Sequence, residues 1–152
     1  MKISIIGTGY VGLVSGACLA DFGHQVTCVD KDEEKVLKLE QGKIPIFEPG
    51  LDVLVRRNLD AGRISFSLNL KSAIEKSEAI FLAVGTPSNK DTGAANLTYL
   101  FEACDKIKKH ANEDKFIVIK STVPVGTNKT IFDYLNKGKK KFDVISNPEF
   151  LR

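Results

Sequence analysis

Cysteine is scarce in this 152-residue chain, and Cys18, Cys28 and Cys104 are an odd number without metal-ligand spacing. A disulfide framework or a structural zinc site needs paired, regularly spaced cysteines, so neither is expected. Each thiol falls inside a predicted helix or strand and reads as a buried core group. Net charge is low as well, at +3. That excess is too small to hold nucleic acid, and the densest basic stretch, residues 137–141, lies between a predicted helix and a predicted strand as a solvated loop. No apolar run approaches the roughly 18 uninterrupted residues of a membrane span. The apolar stretch after Lys2 has the look of a secretory signal, but Gly7, Gly9, Gly12 and Gly16 interrupt it, and a cytoplasmic location is expected. His24 and His110 both read as exposed and receive no catalytic task. Long linkers and internal repeats are missing too.

What remains is ordinary globular material, 43% hydrophobic and 27% charged. A chain of this length buries about 70% of its unfolded surface, enough for a single core spanning residues 1–152. Strand patterns at 3–6, 25–29, 64–66, 79–84, 116–120 and 142–145 alternate with helix patterns at 11–22, 33–41, 51–61, 70–76, 97–109 and 127–136. Such alternation predicts an α/β, Rossmann-like, doubly wound and mostly parallel sheet with helices on both faces. In these sheets ligands collect at the carboxyl ends of the strands.

The first strand-to-helix turn carries Gly7, Gly9 and Gly12. Glycine at this spacing permits a tight turn, close backbone approach to a pyrophosphate, and close helix-on-sheet packing. The helix that follows offers unpaired N–H groups and a positive dipole end to phosphates. Asp30 comes 18 residues after Gly12, closing the second strand, where a carboxylate accepts hydrogen bonds from a ribose diol. A 2′-phosphate would meet a like charge there, which favours NAD over NADP. Asp30 has a second possible use, as the N-cap of the next helix with Glu33 completing a capping box, and the two roles are compatible.

Three later strands run into polar, proline-bearing loops: Gly85-Thr86-Pro87, then 121–127 with Ser121, Thr122 and Pro124, then Ser146-Asn147-Pro148-Glu149. Each alone is plain turn chemistry. Their common position at strand ends predicts a ligand crevice.

These motifs, with Ile46-Phe47-Glu48-Pro49-Gly50-Leu51 and the terminal Phe150-Leu151-Arg152, resemble the UDP-glucose/GDP-mannose dehydrogenases along the whole chain. The resemblance implies NAD-dependent oxidation of a nucleotide sugar at its C6 alcohol, in two hydride transfers, with a cysteine capturing the aldehyde and water releasing the product. By motif, Tyr10 and Val11 contact the pyrophosphate, Asp30 and Lys35 the adenosine ribose, and Thr86 and Thr122 the nicotinamide half. Thr122 and Glu149 hold the catalytic water, and Glu149, Phe150, Leu151 and Arg152 belong to the substrate side. Lys35 also has a plainer reading, as a solvated lysine on a charged helix face.

The family pattern continues past Arg152 into a helical dimerisation segment and a second domain bearing the nucleophilic cysteine and an essential lysine. The chain is therefore expected to be the NAD-binding part of a homodimeric or larger enzyme, inactive by itself. Val123-Pro124-Val125-Gly126 looks more like the UDP-glucose branch. GDP-mannose and N-acetylated UDP sugars stay open as substrates, as does a stand-alone, non-catalytic NAD-binding module.

Overall fold

The computed structural model describes residues 1–90 and 92–149. Each predicted segment forms an element, in the order β1 (Lys2–Ile6), α1 (Tyr10–Asp21), β2 (Gln25–Val29), α2 (Glu33–Glu40), α3 (Leu51–Asp60), β3 (Ile64–Ser67), α4 (Leu70–Lys76), β4 (Ala79–Leu82), α5 (Thr98–His110), β5 (Lys115–Ile119), α6 (Thr127–Leu135) and β6 (Phe142–Ser146). The strands form one sheet in the order β3-β2-β1-β4-β5-β6, and all five pairings are parallel.

Strand alternation divides the core into two layers. On one face Ile3 and Ile5 of β1 join Val26, Cys28, Ile64 and Phe66 beneath Leu13 and Ala17 of α1, Val36 and Leu39 of α2, and Leu51 and Val55 of α3. On the other, Ile6, Ile80, Leu82, Ile117 and Ile119 pack under Ile74 of α4, Leu100 and Ile107 of α5, and Ile131 and Leu135 of α6. Ser4, also on this second face, is buried, and its hydroxyl donates to the Ala73 carbonyl at 2.9 Å. Buried polarity is thereby satisfied rather than left as a cost of 1–3 kcal/mol or so.

Helix starts follow local chemistry. Asp32 caps α2 by accepting from Lys35 N at 3.0 Å, and Asn69 caps α4 by accepting from Ser72 N at 3.0 Å. The cap expected of Asp30 thus falls to Asp32, which stands next to the first helical turn. The strand expected over 79–84 ends as β4 at Leu82. There β1 also ends and Gly7 turns away with φ +99°; Ala83 N still donates to the Ile6 carbonyl at 2.9 Å, but neither ladder of β4 continues past Leu82.

Other differences are small. His24 and His110 are half-buried rather than exposed, since the chain folds back at Gly23 and brings His24 Nδ1 to 3.5 Å from the N-terminal amine. Cys28 and Cys104 are buried as expected, but Cys18 is half-buried because it lies off the core-facing stripe of α1. Among the described residues no helix is long and apolar enough to cross a membrane.

A Cβ at Gly16 would lie 2.6 Å from Cys28 Sγ and 3.2 Å from Ile5 Cδ1, so α1 rests on β1 and β2 with no room for a side chain. Replacing Gly16 by Val should cost about 1–3 kcal/mol through overpacking, which for a chain of this size lowers the melting temperature by roughly 2–4 °C per kcal/mol. Thermal unfolding followed by circular dichroism checks this, and an unchanged midpoint would contradict the close packing.

Candidate functional site

The sheet reverses its winding between β1 and β4, and ligands of open α/β sheets bind at such a point. A crevice of about 550 Å³ lies there, floored by Gly7, Gly9, Ala83, Val84 and Gly85 and flanked by Asp30 and Lys35. The phosphate loop is shaped by contacts that only glycine allows. A Cβ on Gly12 would sit 1.9 Å from the Gly7 carbonyl oxygen, and one on Gly7 would sit 2.6 Å from the Ala83 oxygen. Gly9 differs, since a Cβ there meets nothing within 4 Å and would project into open space. Gly9 thus leaves the backbone bare toward the crevice.

Immediately after it, Leu13 N donates to the Gly9 carbonyl at 2.9 Å as the first bond of α1. The N–H groups of Tyr10, Val11 and Gly12 precede that bond and have no intrahelical acceptor. Gly9 contributes no side-chain cap. Three backbone donors and a positive helix end therefore stand immediately after Gly9, which lines the crevice, an arrangement that suits a diphosphate.

Asp30 stands where the sequence pattern put it, at the carboxyl end of β2. Its Oδ2 accepts from Thr8 N at 2.9 Å, Thr8 Oγ1 at 2.6 Å and Lys35 Nζ at 3.1 Å, while Oδ1 accepts from Lys31 N at 2.8 Å and Asp32 N at 3.2 Å. Partial burial disfavours the charge, but the donors from Thr8, Lys35 and Asp32 outweigh it and hold the carboxyl down at about 2. Lys35 is thereby placed beside Asp30, as its position in the motif implied. Thr8, itself 1% exposed, is a residue that sequence reasoning passed over. Its only signal was its place between two glycines of the loop.

Beyond Asp30, Lys31 Nζ lies 4.6 Å from the Tyr99 ring centroid, and Tyr99 and Lys106 of α5 complete the crevice wall. Nothing in the sequence marked these, because they are ordinary positions on an amphipathic helix.

At the other end, the three proline-bearing loops converge. Thr86 Oγ1 donates to the Thr122 carbonyl at 2.8 Å, Ser121 Oγ donates to the Val84 carbonyl at 2.6 Å, and Thr122 Oγ1 lies 3.5 Å from the Glu149 carbonyl. Lys120, with a side chain 13% exposed, places Nζ 3.1 Å from both Asn147 Oδ1 and Glu149 Oε2. It ties the end of β5 to the segment after β6, a role that a lysine ending a strand pattern does not announce. Thr86, Thr122 and Glu149 are brought together; Phe150, Leu151 and Arg152 lie outside the described residues.

Between these two ends, the Tyr10 hydroxyl donates to Glu48 Oε2. The bond to Glu48, desolvation, and the charges of Glu48 and Glu149 all push the Tyr10 phenol above its ordinary range. Among the described residues no group of three or more His, Cys, Asp or Glu side chains is placed to hold a metal ion.

The profile of the UDP-glucose/GDP-mannose dehydrogenase family, NAD binding domain, matches residues 1–152. The chain is 51% identical over 154 residues to a UDP-glucose 6-dehydrogenase of Rhizobium meliloti, covering 100% of itself and 35% of that relative. It is 53% identical over 154 residues to the UDP-glucose 6-dehydrogenase TuaD of Bacillus subtilis, covering 99% of itself and 33% of that protein. It thus spans about a third of the length of these curated relatives. Among solved structures, a GDP-mannose dehydrogenase from Pseudomonas aeruginosa superposes with TM-score 0.92 at 40% identity, over 100% of this chain and 37% of that one. A UDP-glucose dehydrogenase from Pyrobaculum islandicum superposes with TM-score 0.91 at 38% identity, over 99% and 36%.

The low Asp30 value has a consequence for stability. A carboxyl held near 2 when folded, against 3.8 ordinarily, stabilises the fold fully above about pH 5 and loses that contribution as pH falls from about 4 to about 2. Asp30→Asn should cost about 1–2 kcal/mol at neutral pH, and the gap to the unaltered chain should close over that acidic window. Urea unfolding at a series of pH values reads the gap directly; a gap constant down to about pH 2 would remove the assignment.

Proposed function

We propose, from the chain's membership of the UDP-glucose/GDP-mannose dehydrogenase family, that it holds NAD for the oxidation of UDP-glucose to UDP-glucuronate. The chain belongs to this family and corresponds to its NAD-binding domain from end to end. NAD, when bound, supplies a hydride acceptor at its nicotinamide ring. This chain's own residues hold, orient and shield.

The observation that carries the reading is the pairing of the bare glycine loop with the Asp30 carboxylate beside the winding reversal. The N–H groups of Tyr10, Val11 and Gly12 bind the diphosphate, while Asp30 and Lys35 receive the adenosine ribose. Thr86 and Thr122 border the nicotinamide end, where Glu149 and Thr122 orient a water. The Lys120 ion pair keeps the Glu149 carboxylate at that end rather than loose in solvent.

The thiol of the family's second oxidation is expected from outside these residues. Burial pushes Cys28 up to about 12, and burial together with the Asp105 charge pushes Cys104 up to about 12. Neither is poised as a thiolate nucleophile. Cys18 is half-buried on α1, away from the crevice-lining residues.

A second reading is supported by the likeness to the Pseudomonas aeruginosa GDP-mannose dehydrogenase, in which case the sugar nucleotide differs and the cofactor role does not. The cofactor role is tested by calorimetric titration of the chain with NAD and NADP. Saturable NAD binding is expected, with NADP weaker by about tenfold or more, equivalent to about 1.4 kcal/mol. Asp30→Ala should weaken NAD by a similar factor. Equal affinity for the two cofactors, or an Asp30→Ala chain that binds NAD unchanged, would overturn the ribose assignment.

A further inference from the structure

The 46–51 motif connecting α2 to α3 has received no task in the cofactor site, yet its geometry is specific. Ile46 packs against the core and Leu51 is 3% exposed within it, so the segment between them is anchored at both ends. The turn is closed by Leu51 N donating to the Glu48 carbonyl at 3.1 Å, with Gly50 in the left-handed region at φ +82°. This fixes the half-buried Glu48 above the start of α1, where its carboxylate accepts the Tyr10 hydroxyl.

Tyr10 is the first residue of α1, and that end of the helix lacks the usual supports. Gly9 supplies no side-chain cap, and no acidic residue stands in the first turn. Caps of that kind keep first turns from fraying. Here the phenol–carboxylate bond ties down the first residue from outside the helix, and the turn it steadies is the one whose free N–H groups follow the crevice-lining Gly9.

We propose that Glu48 is a positioning residue for the cofactor's diphosphate, acting through Tyr10 as a remote substitute for the missing helix cap. This deepens the NAD reading above and rests on it. Adenosine recognition, by contrast, runs through Asp30, Thr8 and Lys35, whose hydrogen bonds tie them to one another. Loss of Glu48 therefore acts on the phosphates and spares the nucleoside. A merely structural strut would weaken both.

The test uses the full chain and its Glu48→Ala, Glu48→Gln, Tyr10→Phe and combined Tyr10→Phe/Glu48→Ala variants. NAD affinity is measured by calorimetry, and adenosine, which has no phosphate, is followed by chemical-shift titration. Glu48→Ala and Tyr10→Phe should each weaken NAD about 3- to 10-fold, with the combined variant no worse than the weaker single one. Glu48→Gln, which keeps an acceptor, should retain most of the affinity. Adenosine binding should stay the same throughout. In Glu48→Ala the ultraviolet titration of the tyrosines should show one phenol ionising at lower pH than in the unaltered chain, since the bond that raises it is gone.

Equal losses for NAD and adenosine, additive losses in the combined variant, or unchanged NAD affinity would each overturn the proposal. Melting curves accompany every variant, and Glu48→Gln keeps the comparison usable if the alanine variant unfolds. Failure of the unaltered chain to bind NAD would show before any variant is made and would overturn the cofactor reading together with this one.

Discussion

Five donors converge on one carboxylate, and the crevice takes its shape from that convergence. Asp30 ends β2, Thr8 lies in the loop after β1, and Lys35 comes from the first turn of α2, so a single side chain ties three successive segments together. The bonds to Thr8 press the glycine loop toward β2, and Gly7 N donating to the Val29 carbonyl at 2.8 Å closes the same seam through the backbone. Without that anchoring, Gly7, Gly9 and Gly12 would be the most flexible part of the chain, since glycine loses most conformational entropy on ordering. The loop is ordered by its neighbours, not by its own residues.

The fold was readable from the sequence because it depends on periodicity, which is local. Alternation of apolar residues in β1 and the three-to-four spacing in α2 and α3 each predict an element without knowledge of any other. The glycine fingerprint was readable for a related reason: its constraints act between Gly7 and Gly12, five positions apart. Where the reading missed, the controlling contact was distant in sequence. The shortening of β4 depends on the turn at Gly7, and the half-burial of His24 on the chain's return toward Met1. Thr8, Glu48 and Lys120 received no role from the sequence because their partners are 22, 38 and 29 positions away, in Asp30, Tyr10 and Glu149. No window along the chain contains both members of any of these pairs.

The two ends of the crevice are built differently, and the difference bears on what each does. On the Asp30 side the ties are side chain to backbone and side chain to side chain around one ionised group, with the Asp30 and Lys35 side chains 12% and 29% exposed. At the other end hydroxyls bond to carbonyls of neighbouring loops, as Thr86 does to Thr122 and Ser121 to Val84. Such bonds fix loop positions relative to one another without committing a charge. The charges that are present, Lys120 and Glu149, face each other and are partly exposed. The pair holds the Glu149 carboxylate against the end of β5.

A carboxylate already satisfied by five donors looks poorly suited to accept more from a ribose, but the donors are not equivalent. The bonds from Thr8, Lys31 N and Asp32 N belong to the loop and backbone and cannot withdraw without moving β2 or the phosphate loop. Lys35 alone is a long side chain, 29% exposed, and its ammonium can swing aside or turn to a ribose oxygen at small cost. On the proposed reading, binding would exchange one flexible donor for the ribose hydroxyls while the carboxylate stayed in place. On the proposed ribose assignment, the same immobility would disfavour a 2′-phosphate. A freely rotating aspartate could turn from the second anion, whereas this one is held facing it, and Lys35 supplies only one positive charge against a phosphate and a carboxylate together. On the proposed reading, selectivity for NAD would follow from how firmly Asp30 is pinned as much as from its charge.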